Sequence, residues 1–290
     1  MSTSTTDKPR HWWLPSPRLL LFATISLFSL VSLSTAGDDA TSTPAQQSAP
    51  FVDQATGLSM ERFFGARTQF AFAMALPEQA SGSFIGQLSF PLKAGAGWGA
   101  MGLTGDMEGN FFLAVWPDGQ GGVTASFRQG TNEDNPPEVT GRFAVRPIAE
   151  GVAVNATSLT YTFLCENCLD ATLGLGPEAT NANAVMGWAL SERAVRNPGN
   201  PGATLGFHER GFGPFTARLG NARSAQFDAV AATAGQPVAS SNRAVAVTPN
   251  AFRDGGGDDD DDDDKKEGGS RTGGGGGGDG RKKDDDDDDD

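Results

Sequence analysis

Past residue 36 the 290-residue chain holds a single histidine, His208, in Thr204-Leu205-Gly206-Phe207-His208-Glu209-Arg210-Gly211-Phe212-Gly213. One imidazole excludes zinc sites built from two or three histidines, and a copper site that pairs an N-terminal histidine with a second one. What stays open is chemistry that one imidazole can serve. The strongest such pairing is with a thioether, and Met107 lies upstream in Gly105-Asp106-Met107-Glu108-Gly109-Asn110. Histidine with methionine is a ligand set for haem iron.

A lone histidine is often a satisfied loop residue, and a lone methionine a core gap-filler. The neighbours argue for more. Phe207, Phe212 and Phe215 flank His208 together with Gly206, Gly211 and Gly213, so aromatic rings and closely approaching backbone surround one imidazole, as a flat porphyrin requires. Met107 follows Trp98-Gly99-Ala100-Met101-Gly102-Leu103 and precedes Phe111-Phe112. Met101 is the competing thioether, but it falls in a segment that alternates like a strand, whereas Met107 falls between strands.

Both cysteines sit in Phe163-Leu164-Cys165-Glu166-Asn167-Cys168. In an oxidising compartment so close a pair reads as a local disulfide. A thioredoxin-like redox motif is the rival, and it needs a strand-to-helix setting that the flanking residues do not suggest. Leu169 stands where covalent c-type haem attachment requires histidine, so any haem is held by coordination and packing. Gly95, Gly97 and Ala100 followed by Asp118 imitate a dinucleotide-binding fingerprint. Gly102, Gly105 and Gly109 oppose the helix that fingerprint needs, each costing about 1 kcal/mol relative to alanine.

The elements that must position these groups are strands. Thr68 to Met74, Phe84 to Phe90, Phe111 to Trp116, Val123 to Phe127, Leu159 to Leu164 and Val185 to Leu190 are rich in aromatic and β-branched residues. Several alternate with a two-residue period. Pro117-Asp118-Gly119 is a turn, and Arg196-Asn197-Pro198-Gly199-Asn200-Pro201-Gly202 a long loop. No window carries a helical stripe. The expectation is an all-β antiparallel sandwich over 51–232, with ligands gripped by loops at one end or edge.

Outside that domain, Lys8, Arg10 and Arg18 precede an apolar run from Leu19 to Leu33 and the small-residue cleavage site Ser34-Thr35-Ala36. Residues 1–36 read as a signal peptide too short and too polar to span a bilayer. No later segment is apolar enough to span. Secretion follows, and Asn155-Ala156-Thr157 adds a glycosylation sequon at Asn155. Residues 37–50 are a polar spacer. Residues 233–290 read as a disordered tail ending in Asp258 to Asp264, a glycine run from Gly273 to Gly278, and Asp284 to Asp290. Asp261-Asp262-Asp263-Asp264-Lys265 resembles a proteolytic processing site, and the aspartate blocks suit weak Ca²⁺ collection, against a plain solvated tail. Formal net charge is −14, most of it beyond residue 230. There is no basic stripe for nucleic acid or an anionic membrane.

Six separated segments carry a resemblance. They are Gly97-Trp98-Gly99-Ala100-Met101-Gly102-Leu103, the Gly-Asp-Met107 loop, Leu113-Ala114-Val115-Trp116-Pro117, Phe163 to Cys168, Gly187-Trp188-Ala189-Leu190-Ser191, and the Phe207-His208 loop. In this order they resemble the b-type cytochrome domain of fungal cellobiose dehydrogenases, a DOMON-like domain, over about residues 51–230. The resemblance implies an immunoglobulin-like β-sandwich holding haem b through Met107 and His208, with Cys165 and Cys168 disulfide-bonded. Two departures are visible. The segment 131–137 lacks the aromatic side chain of relatives, and an acidic tail stands where a flavin dehydrogenase domain would begin.

Two strong axial ligands leave iron no open position, which disfavours oxygen activation and favours outer-sphere electron transfer. With the porphyrin expected between the two sheets and one edge exposed, the protein reads as a one-electron carrier and not a stand-alone enzyme. The resemblance alone supplies the partners: a secreted flavin dehydrogenase as donor, and a copper polysaccharide oxygenase, a quinone or ferric iron as acceptor. The rival class is a non-catalytic ligand- or carbohydrate-binding sandwich without haem, with exposed Trp98, Trp116 or Trp188 as sugar-stacking platforms. A third, a CxxC thiol oxidoreductase, requires an accessible and reducible cysteine pair.

Overall fold

The computed structural model describes residues 46–131 and 135–253. The proposed signal peptide and the aspartate and glycine runs lie outside the described residues. Thirteen strands and little helix make up the described chain. In order they are β1 (Ala49–Val52), β2 (Ser59–Gly65), β3 (Phe70–Ala75), β4 (Phe84–Pro91), β5 (Trp98–Gly102), β6 (Phe111–Pro117) and β7 (Val123–Gln129). Then come β8 (Val139–Thr140), β9 (Ala144–Val154), β10 (Ser158–Glu166), β11 (Asn183–Ser191), β12 (Gly211–Arg218) and β13 (Val245–Ala246), with one short α-helix, α1 (Phe227–Ala231), and four 3-10 turns.

Two antiparallel sheets form the sandwich, one of order β1-β2-β3-β4-β10-β9, the other β12-β11-β5-β6-β7. The two-residue side-chain period divides each strand between faces. In the five-stranded sheet, Met101, Leu113, Phe127, Met186 and Phe215 point inward to meet Phe63, Phe70, Phe72, Leu88 and Phe90. Phe63 stacks on Phe215 with centroids 4.4 Å apart, and Phe70 on Trp188 at 5.2 Å. Each of these phenylalanine rings is fully buried and contributes about 1.5–3 kcal/mol of transfer free energy. At one edge, Arg218 of β12 donates to the buried Glu61 of β2 at 3.2 Å, tying sheet to sheet.

Both outer faces are covered as well. Phe227 of α1 packs with Leu58, Met60, Ile85 and Leu164 on the back of the six-stranded sheet. Over the five-stranded sheet, Val195, Ala203 and Leu205 pack on Trp98, Ala100, Ala114 and Trp116. That cover is the long connection from β11 to β12, the segment that carries His208.

The chain expected to leave the domain at 233 stays on it through Arg253. Gly235 N and Val238 N donate to Pro147 O and Val145 O at 2.8 and 2.9 Å, and β13 pairs in parallel with β8. Hydrogen bonds hold most of this segment, with Val238 and Val247 partly buried against the core, so its largely polar composition conceals its attachment. The domain boundary we propose therefore moves to about residue 253.

Candidate functional site

The five-stranded sheet presents small residues outward at its centre. Ala100 and Gly102 of β5 lie opposite Ala189 and Gly187 of β11. A Cβ on Gly102 or Gly187 would collide with Asn110 or with the Thr104 carbonyl, so only glycine lets the β5–β6 loop lie this close. Over this floor opens a cavity of about 300 Å³, walled by Trp98, Phe112, Leu205, Phe207 and Phe212. Met107 and His208 both line it.

The loop that carries Met107 is organised by Asn110. Its amide donates to the carbonyls of Thr104 and Asp106 at 3.0 and 2.7 Å, and its Oδ1 accepts from Thr104 N at 3.2 Å. Asn110 N also donates to Met107 O, and Gly109 N to Gly130 O. Met107 is 37 % exposed where it lines the cavity. Met101 has gone the other way, into the core between the sheets.

His208 lies in a turn that Glu209 pins to the end of β11. That carboxylate accepts from Ser191 Oγ and Glu192 N, both at 2.8 Å. The imidazole packs against Phe212 and Phe207, centroids 4.3 and 4.5 Å away, and edge-on to Trp98 at 6.4 Å. Its Nδ1 and the Nε1 of Trp98 are buried without hydrogen-bond partners. Burial holds the imidazole pKa below its ordinary value, against the opposing pull of Glu209. Its neutral form, which keeps a lone pair for a metal, is the favoured one.

Arg128 joins the loops around the cavity. Fully buried, it donates to Ser126 Oγ, to Pro136 O at 2.9 Å, and to Pro201 O and Ala203 O at 2.6 and 2.7 Å. Burial pushes its pKa down to about 10, with Glu138 opposing. Asn135 Oδ1 accepts from Leu205 N at 2.8 Å in the same seam. Sequence reasoning passed over Asn110, Arg128 and Glu209, since their partners are mostly backbone atoms. The one available signal was a charge at Arg128 continuing the outward row Thr124-Ser126 of β7.

Several sequence-based expectations are corrected by the geometry. The cavity sits on the outer face of the five-stranded sheet, and the space between the sheets is filled by side chains. Of the three phenylalanines around His208, Phe215 faces that interior instead. Trp98 and Trp116 are buried and Trp188 is half-buried against Phe63 and Phe70, so these three are not sugar-stacking platforms. The fingerprint-like glycines lead into strand β5 and not a helix. Cys165 and Cys168 are joined in a disulfide and buried at the end of β10, away from the cavity, which leaves no accessible thiol pair. Asn155 is exposed in the β9–β10 turn, its Oδ1 accepting from Thr157 N at 2.8 Å. Among the described residues, no group of three or more histidine, cysteine, aspartate or glutamate side chains gathers to hold a metal.

Residues 51–229 match the family described as the cytochrome domain of cellobiose dehydrogenase. The chain belongs to this family. Its fold is similar to the cytochrome domain of Myriococcum thermophilum cellobiose dehydrogenase, with 27% identity and a TM-score of 0.60 over 66% of this chain and 98% of that one. It is similar also to the cytochrome b domain of pyranose dehydrogenase from Coprinopsis cinerea, with 27% identity and a TM-score of 0.56 over 69% of this chain and 98% of that one. Family membership supports a general electron-transfer role, as a carrier and not a stand-alone enzyme, and implies binding of haem b.

Proposed function

We propose that this domain, an immunoglobulin-like sandwich, holds haem b over the outer face of its five-stranded sheet, with Met107 and His208 as axial ligands. The observation that carries this reading is their meeting at one cavity above a floor of small residues, in a chain of this family. The residues suit the group. A thioether and an imidazole kept neutral by burial form a two-ligand set for haem iron, and aromatic walls suit a flat ring.

Haem held in this way supplies a one-electron couple. The chain's residues do the rest. Asn110 fixes the Met107 loop, Glu209 fixes the His208 turn, and Trp98, Phe112 and Leu205 keep water from the floor. Haem iron held by both residues would have no position left for oxygen, which suits a carrier. Its proposed donor is an extracellular flavin dehydrogenase, and its acceptor a copper polysaccharide oxygenase, a quinone or ferric iron. Residues 1–36 are the proposed signal for secretion and Asn155 the proposed glycan site. Among the described residues no helix is long and apolar enough to cross a membrane.

Titrating the purified chain with hemin tests this. A low-spin spectrum that is lost in His208→Ala supports the ligand set. A chain that stays colourless would favour the haem-free binding module.

A further inference from the structure

The segment past the family match contacts both loops that carry the proposed ligands. It first meets the His208 side: Ser241 N and Oγ donate to the buried carboxylate of Glu138, beside Gly202 of the β11–β12 connection. A Cβ at Gly202 would stand 2.7 Å from Ser241 Oγ. Glu138 in turn supplies the charge that opposes the burial of Arg128, whose guanidinium holds Pro136, Pro201 and Ala203.

The segment then crosses to the Met107 side. Val245 N and Val247 N donate to Glu138 O and Thr140 O. Gln129, buried at the end of β7, accepts from Thr248 N at 2.8 Å and donates to Thr248 O at 2.9 Å. Asn250 N donates to Thr172 O at 2.7 Å, and the next peptide, Ala251–Phe252, lies directly against Gly109. Gly109 has φ +66°, and a Cβ there would collide with that peptide, so its glycine is needed twice over. Gly130, which follows Gln129 directly, receives the other side of the loop: its carbonyl accepts from Gly109 N, and Met107 O lies where a Cβ on Gly130 would stand.

We propose that residues 241–253 are a positioning strap that fixes the Met107 loop against β7 and braces the His208 connection through Glu138. The strap lies wholly outside the residues 51–229 that match the family. Fixing both loops from one segment narrows the range of separations open to the two side chains. That is what a pair of axial ligands requires. The consequence for haem rests on the ligand assignment above, whereas the mechanical role does not.

Hydrogen exchange on the full-length, haem-free chain tests the mechanical role alone. In Gln129→Ala the amides of Gly109 and Asn110 should exchange about tenfold faster or more, with β4 and β10 unchanged. Gln129→Glu, which keeps an acceptor for Thr248 N, should fall between. A chain ending at Ala244 should show the same change, larger; if it fails to fold, Gln129→Ala decides. With hemin bound, Gln129→Ala should lose haem faster and show a reduced spectrum with part of the methionine ligation gone. Unchanged exchange at Gly109 and Asn110 overturns the proposal, as does faster exchange with an unaltered spectrum and haem-loss rate. If the parent chain takes up no haem, the proposed function falls while the exchange result still judges the strap.

Discussion

The two faces of the five-stranded sheet are built from alternate residues of the same strands and have opposite fillings. Along β5 and β11 the inward row is Met101, Met186 and Trp188, packed into aromatic rings from the other sheet. The outward row is Ala100, Gly102, Gly187 and Ala189, and over it the chain leaves space. One face is filled because nothing else will occupy it, whereas the other is kept flat and lined with a thioether and an imidazole. The two methionines, Met101 and Met107, carry the contrast in single residues, one packed in the core and the other lining the cavity as the proposed ligand.

The contrast is broken most severely at His208. His208→Ala should abolish stable haem binding, read by absorption, and leave the thermal melt of the haem-free protein nearly unmoved. Filling the floor comes next: Ala100→Phe should block haem uptake, with overpacking costing about 1–3 kcal/mol in stability. The methionine pair separates the faces directly. Met101→Ala should cost about 2–5 kcal/mol by denaturant melt and spare the reduced spectrum, because it empties core volume. Met107→His should leave stability alone and keep haem at a lower potential, since the thioether that favours the ferrous form is gone.

The smallest effect lies far from both faces, in the β1–β2 turn. Burial raises the Asp53 pKa, but hydrogen bonds from Thr56, Gln87 and Ala55 outweigh it and hold the carboxyl below its ordinary value. A depressed folded-state value means the stabilisation is present above the unfolded value near 3.8 and is lost as pH falls through the folded one. Between neutral pH and acid the parent should therefore lose its advantage in melting temperature over Asp53→Asn, with haem uptake at neutral pH equal in both.

Six strands were legible because period-two alternation survives where one face is aromatic. Phe84 to Phe90, for example, became β4, Phe84–Pro91. Strands were missed where that signal is masked. β9 contains Pro147 and Gly151, and β12 mixes Gly211, Gly213 and Pro214 with its rings, so neither stood out as a strand. The ligand candidates were visible because His208 is the single histidine past residue 36 and Met107 sits among turn residues. Their supports were not, since Arg128 and Asn110 act through carbonyls whose positions no side-chain pattern records. The face was misjudged for a related reason: alternation shows that two rows exist, but a row of alanine and glycine looks like weak packing until a loop is seen above it.

Whether Met107 and His208 together grip haem on the outer face is read most simply from absorption spectra. The reduced, hemin-reconstituted full chain would be measured beside Met107→Ala and His208→Ala. Joint ligation gives a low-spin six-coordinate spectrum in the parent, a five-coordinate or mixed one in Met107→Ala, and no stable complex in His208→Ala. A parent spectrum unchanged by either substitution would contradict it.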